Sequence, residues 1–149
     1  MTPITFSANG TPRPQPRPRL ARGRVVSVAD ANAKRWIATV ESSARLALAG
    51  TAKATGPLRV DMLFRMPTKE KPRHGKPHTF RPDSDNLAKL ALDAMMRAGL
   101  IADDATVSHL EIRKVWCADA GADFVVSVDG GMPSHSTALP PPDWVGGFG

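Results

Sequence analysis

Cysteine is nearly absent from this chain: Cys117 stands alone among 149 residues. A single thiol can form neither an intrachain disulfide nor a thiolate-rich zinc site, so the fold must rest on burial and hydrogen bonding, as suits a reducing compartment. Tyrosine is missing altogether and aromatic residues make up only 5%, so any ring contact falls to phenylalanine or tryptophan. No apolar run reaches the roughly 18 residues that a membrane-spanning helix needs, and the first residues lack a signal-peptide apolar stretch. The expectation is a soluble cytoplasmic protein. Acidic side chains are outnumbered, with 14 Asp and Glu against 20 Lys and Arg, a net charge of +6. That balance favours an anionic partner such as nucleic acid, without deciding the matter.

What remains is enough for one domain. A chain of this length buries roughly 68–70% of its unfolded surface. Ile4 to Ala8 alternates as a short strand. Residues 9–24, NGTPRPQPRPRLARGR, are too rich in proline for a helix or a central strand and read as an extended loop. Its arginines, among them Arg13, Arg17 and Arg19, have no acidic neighbour in the loop, so it reads either as a solvated loop or as a phosphate-contacting arm. Val25–Val28 suits another short strand. Asp30 is placed to cap a helix reaching about Ala49, with Trp36, Ile37, Val40, Ala44, Ala47 and Leu48 as its core stripe. Leu58 to Met66 alternates as a half-buried strand.

Residues 67–79 form a second basic, proline-broken loop carrying Lys69, Lys71, Arg73 and Lys76. Thr106–Trp116 reads as a strand with Leu110 and Ile112 inward, and Asp123–Val128 as a last short strand. From residue 129 the chain is rich in glycine and proline with no apolar period, the composition of a disordered tail. The expected architecture is a single small α/β (α+β) domain over residues 1–128, a mixed sheet with two main helices, and a tail over 129–149.

The densest chemistry lies at residues 81–104, RPDSDNLAKLALDAMMRAGLIADD. If the segment before the helix is extended, Asp83 and Asp85 point the same way. With Asp85 or Asn86 as N-cap, the helix buries Leu87, Leu90, Ala91, Ala94, Met95 and Ala98. Lys89 falls one turn in on the side of Asp85. Gly99 ends the helix in a left-handed turn, and the chain returns to deliver Asp104 before a strand. Three carboxylates and a lysine can then meet at one helix end. Spacing alone leaves two readings: helix caps and ion pairs, or a Mg²⁺ site of hard oxygen ligands. An EF-hand does not fit, because position twelve is Ala94 rather than glutamate.

The ordered set Pro82, Asp83, Asp85, Asn86, Lys89, Leu92, Asp93, Ala94, Asp103 and Asp104 resembles the RusA family of Holliday junction resolvases, whose pattern is P-D-x-D-N-x-x-K followed by a helix and an acidic pair. The proline- and arginine-rich segment after the first strand is similar too, and the likeness spans about residues 3–128. The resemblance implies a small homodimeric endonuclease, dependent on Mg²⁺ (Mn²⁺ substituting), that resolves four-way DNA junctions by paired nicks leaving 5′-phosphates. By position, Asp83, Asp85 and Asp104 would be the metal-binding carboxylates and Lys89 the catalytic lysine. Asp93 matches a family aspartate, with a structural role expected. The missing tyrosine is a departure: stacking near the crossover would fall to Phe80 or a tryptophan. Arg13, Arg17, Arg19, Lys69, Lys71, Arg73 and Lys76 are the expected DNA contacts. A flap- or fork-preferring nuclease and a non-cutting binder of branched DNA are the alternatives.

Overall fold

The computed structural model describes residues 1–16, 18–27 and 30–132. Arg17, Val28 and residues 133–149, which hold most of the expected tail, lie outside the described residues. The chain forms β1 (Ile4–Asn9), β2 (Pro18–Ala21), β3 (Arg24–Ser27), α1 (Ala31–Leu48), β4 (Leu58–Pro67), α2 (Ser84–Arg97), β5 (Val107–Cys117) and β6 (Gly121–Val128). Two short 3-10 turns, Lys71–Arg73 and Asp104–Thr106, flank α2 in sequence.

Four strands make one mixed sheet in the order β1-β6-β4-β5. β6 runs antiparallel to both β1 and β4, and β4 runs parallel to β5 across the α2 crossover. β1, β4 and β5 therefore point the same way and end at the same edge of the sheet. The segment after β1, the 67–83 connection and the start of α2 all gather at that edge, where open α/β sheets commonly bind ligands.

Both helices cover one sheet face. Phe6, Val60, Met62, Phe64, Phe124 and Val126 from the strands meet Trp36, Val40 and Ala44 of α1 and Leu87, Leu90, Ala91, Ala94 and Met95 of α2 in a single core. The alternation along β4 is the one expected, with Leu58, Val60, Met62, Phe64 and Met66 buried. Fully burying each such large side chain stabilises the fold by about 1.5–3 kcal/mol. Trp36 is core, as its place on the apolar stripe requires.

Two expectations need correction and a third needs refining. Residues 18–27 are a two-stranded hairpin rather than a loop followed by a separate strand. Its turn places Arg22 and Gly23 at φ 52° and 75°, the left-handed geometry of a tight hairpin turn. Proline is tolerated there because Pro18 opens a strand that lies outside the main sheet. Leu110 lies on the inward face, paired with Val60 as Ile112 is with Met62, yet stays 38% exposed, because β5 is an edge strand and its start is not covered. The α2 cap lies two or three residues earlier than expected, at Asp83.

Candidate active site

α2 starts at the sheet edge where β1, β4 and β5 end. Asp83 is its N-cap in extended geometry (φ −68°, ψ 144°), and Asp85 lies inside the first turn. The two aspartates thus straddle the helix start and are not successive residues of one strand. Both are exposed, as is Lys89 one turn later. The positive end of the helix dipole faces these carboxylates. Asp83 makes no capping bond to α2 with its side chain. The first turn closes instead through the backbone, with the Leu87 N–H donating to the Asp83 carbonyl at 3.1 Å.

Distant residues hold this helix start. Lys114 on β5 reaches up with its ammonium and donates to the carbonyls of Phe80 and Pro82, both at 2.8 Å. The Gln15 N–H donates to the Asn86 carbonyl at 3.1 Å, which lays the first proline–arginine segment against the first turn of α2. The second basic loop is tied to the outer edge of β5: His78 N–H donates to the Lys114 carbonyl, Trp116 N–H to the Lys76 carbonyl, and Gly75 N–H to the Trp116 carbonyl. The buried His78 ring lies 4.2 Å from the Trp116 ring, and Phe80 meets Trp116 edge-on at 5.6 Å. Arg73 lies over both Phe80 and Trp116 and pairs with Glu70 at 2.7 Å. Burial first, and then the Lys114 charge, push His78 below its ordinary value and keep the ring neutral.

Asp104 arrives from the far end of α2. Its neighbour Asp103 accepts from the Ala105 N–H through Oδ1 at 3.0 Å and caps the short turn. Asp104 itself is exposed, and its N–H donates to Met96 Sδ at 3.3 Å. Hydrogen bonding with the Asp103 carboxyl raises Asp104 above the usual carboxylate range, and desolvation and the charges of Asp103 and Asp93 push the same way. The Ala105 N–H and the bond with Asp104 hold Asp103 low. Asp104 therefore packs near the third turn of α2. Eight residues separate Asp85 from Asp93, a rise of about 12 Å, and Lys89 lies midway between them.

The expected convergence of three carboxylates on one helix end is accordingly not found among the described residues. Among the described residues, no three His, Cys, Asp or Glu side chains stand close enough to hold a metal ion together. Asp83 and Asp85 stand at the start of the helix and Asp104 along its side. Of the basic residues, Arg13 lies on the segment after β1, and Lys69, Lys71, Arg73 and Lys76 lie on the loop leading to Asp83, all at the same end of the sheet. Arg19 lies in β2, on the separate hairpin.

The family model for endodeoxyribonuclease RusA matches residues 9–127. The chain belongs to the RusA endodeoxyribonuclease family. No curated protein matches the chain closely. Membership makes it an endodeoxyribonuclease, of a family that acts on branched DNA junctions. For a RusA-family chain the donor chemistry matters more than a finished cage. The exposed groups at α2 are hard carboxylate oxygens, and Mg²⁺ commonly binds one or two carboxylates, completing its shell with water and substrate phosphates. The donor set fits that ion. No helix among the described residues is long and apolar enough to cross a membrane.

Sequence reasoning missed the groups that hold the RusA-family acidic helix in place. Lys114, His78 and Trp116 looked like ordinary loop and strand residues. The one available signal was Lys114 itself, a lysine at an inward position of an otherwise apolar strand face. Phe80 was noted only as a possible stacking ring, and the cage beneath it has no local sequence mark.

Proposed function

We propose that this chain is a Mg²⁺-dependent resolvase that cuts four-way DNA junctions by paired symmetric nicks, acting in the cytoplasm as a homodimer. The observation that carries the reading is the exposed acidic start of α2, set between two arginine- and lysine-bearing segments at one end of the sheet. A protomer carries one such acidic set, and two matched nicks call for two. Carboxylates facing anionic DNA are unfavourable unless a cation stands between them.

In this reading Asp83 and Asp85 would hold Mg²⁺, or Mn²⁺ in its place, with water and substrate phosphate filling the shell, and Asp104, which stands apart from them in the free chain, would join the set only once the ion and DNA draw it in. The bound ion supplies an activated water and stabilises the leaving 3′ oxygen. Lys89, exposed one turn beyond Asp85, offsets the charge that builds on the non-bridging phosphate oxygens. Attack by water on phosphorus breaks the bond to the 3′ oxygen, which leaves with a proton, giving a 5′-phosphate and a 3′-hydroxyl. Arg13, Arg17, Arg19, Lys69, Lys71, Arg73 and Lys76 grip the backbones, so binding falls steeply with salt. Branched shape supplies the selectivity.

The test is cleavage of a labelled mobile four-way junction beside a matched duplex and a flap, with Mg²⁺ present and Asp85→Asn as control. Symmetric nicks on the junction, lost in Asp85→Asn while binding survives, are expected. Binding without cutting would instead make the chain a branched-DNA binder, and faster cutting of the flap would make it a fork nuclease.

A further inference from the structure

A second site lies on α1, next to the acidic helix start but not part of it. Beside the end of β1, an open cavity of about 150 Å³ lies between the segment after that strand and the first turns of α1. Asn9, Arg13, Asn32, Arg35, Trp36 and Thr39 contribute to its walls, and no acidic residue lines it. Asn32, Arg35, Trp36 and Thr39 follow at i, i+3, i+4 and i+7, one continuous face of α1. Trp36 is buried at 3% exposure and forms a rigid wall. Asp30, the nearest acid in sequence, is occupied in capping α1 through the Ala33 N–H at 2.7 Å.

The chemistry of the walls selects the ligand class. Two guanidinium groups and two amide side chains around a small concavity offer many N–H donors and no negative charge. Arginine's planar fork matches phosphate oxygens in pairs. A cavity of this size holds one phosphate group and not a nucleobase with its sugar. The segment that carries Arg13 continues to Gln15, whose N–H is bonded to Asn86 in the first turn of α2. Two extended residues span at most roughly 7 Å, so the cavity adjoins the acidic helix start along one short piece of chain.

We infer that this cavity binds a backbone phosphate of the DNA strand, distinct from the phosphate that is cut, and that Arg35 and Asn32 recognise it together with Arg13. The inference rests on the DNA-cutting reading above and adds a binding subsite on α1. It gives the strand a second fixed point beside the acidic residues, so that the scissile phosphate is placed rather than merely attracted.

The experiment is junction binding without divalent cation, titrated with salt, for the wild type, Arg35→Gln, Asn32→Ala and Lys34→Gln. Lys34 is exposed on the same helix, does not line the cavity, and carries the same charge change. Arg35→Gln should bind roughly tenfold more weakly, with a salt slope shallower by about 1. Asn32→Ala should bind several-fold more weakly with its slope unchanged, and Lys34→Gln should stay near wild type. Equal losses in Arg35→Gln and Lys34→Gln, or no loss in Arg35→Gln, would overturn the subsite while leaving the nuclease reading standing. A wild-type protein that binds no junction would remove both. Inorganic phosphate is the remaining probe. If millimolar phosphate perturbs Trp36 fluorescence while Arg35→Gln leaves DNA affinity intact, the cavity serves a free anion and the DNA assignment is wrong.

Discussion

The two helices of this fold begin with the same residue used in two ways. α1 starts at Asp30, whose Oδ1 accepts from the Ala33 N–H at 2.7 Å, the usual service of an N-cap aspartate. α2 starts at Asp83, in nearly the same backbone geometry, yet that side chain makes no capping bond to its helix. Support for α2 comes from outside: two bonds from Lys114, one from Gln15, and the buried face packed on the sheet. A helix start so supported does not need a side-chain cap from its own aspartate. The contrast separates an aspartate that caps its own helix from one whose helix start is held by other groups, which neither position nor residue type distinguishes.

Exchanging the two aspartates in turn should break the comparison most sharply. Asp83→Asn keeps the size and the extended backbone but removes a carboxylate charge, so under the proposed function cleavage should fall by about 10²–10³ or more while junction binding and the unfolding midpoint stay close to wild type. If Asp83→Asn melts well below wild type and still cuts, its carboxylate is structural after all. Lys114→Met comes next. Losing a charged donor that serves two carbonyls should cost about 1.5–3 kcal/mol in urea unfolding and lower the cleavage rate about tenfold through a loosened helix start, with junction affinity little changed. A Lys114→Met protein that cuts at the wild-type rate would show that the acidic helix start does not need this support. Asp30→Ala is the smaller, opposite case. It should cost about 1 kcal/mol and leave the rate of cutting untouched, as measured by parallel melts and single-turnover cleavage.

Local pattern carried much of this structure and long-range pairing the rest. The α1 span, its Asp30 cap and the alternation of β4 follow from spacing alone, because apolar periodicity reports which face is buried. The helix end before Gly99 was legible for the same reason: Gly99 sits at φ 75°, a geometry glycine adopts without cost. The β2–β3 hairpin was not legible, since its turn uses Arg22–Gly23 in place of an asparagine–glycine or aspartate–glycine pair. The residues of the acidic set were legible as a motif, yet their placement was not. Whether Asp104 meets Asp85 depends on how the return from α2 docks, and that is fixed by Met96 and Asp103, whose roles have no periodic mark. The Pro77–Val115 bridge, which ties the second basic loop to β5, joins residues far apart in sequence. Neither end announces the other.

His78 gives the mildest test of the outside support for α2. The residue is 6% exposed, and its Nδ1 has no hydrogen-bond partner among the described residues. Burial foremost, then the nearby Lys114 ammonium, hold its pKa below the ordinary 6.5. The unfolded chain therefore takes up a proton here as pH falls through about 6.5, while the folded chain resists until lower pH. The sign follows: the stability contributed by the neutral ring is fully present above about pH 6.5 and is lost progressively as pH drops toward the lowered folded value. His78→Phe keeps a ring against Trp116 and removes the titration. Urea midpoints measured from pH 7.5 down to pH 5 should fall more steeply for the wild type than for His78→Phe, the two curves separating only below about 6.5. Parallel curves would mean that the buried histidine takes its proton without strain, and that the loop beneath Phe80 is looser than the packing of His78 on Trp116 implies.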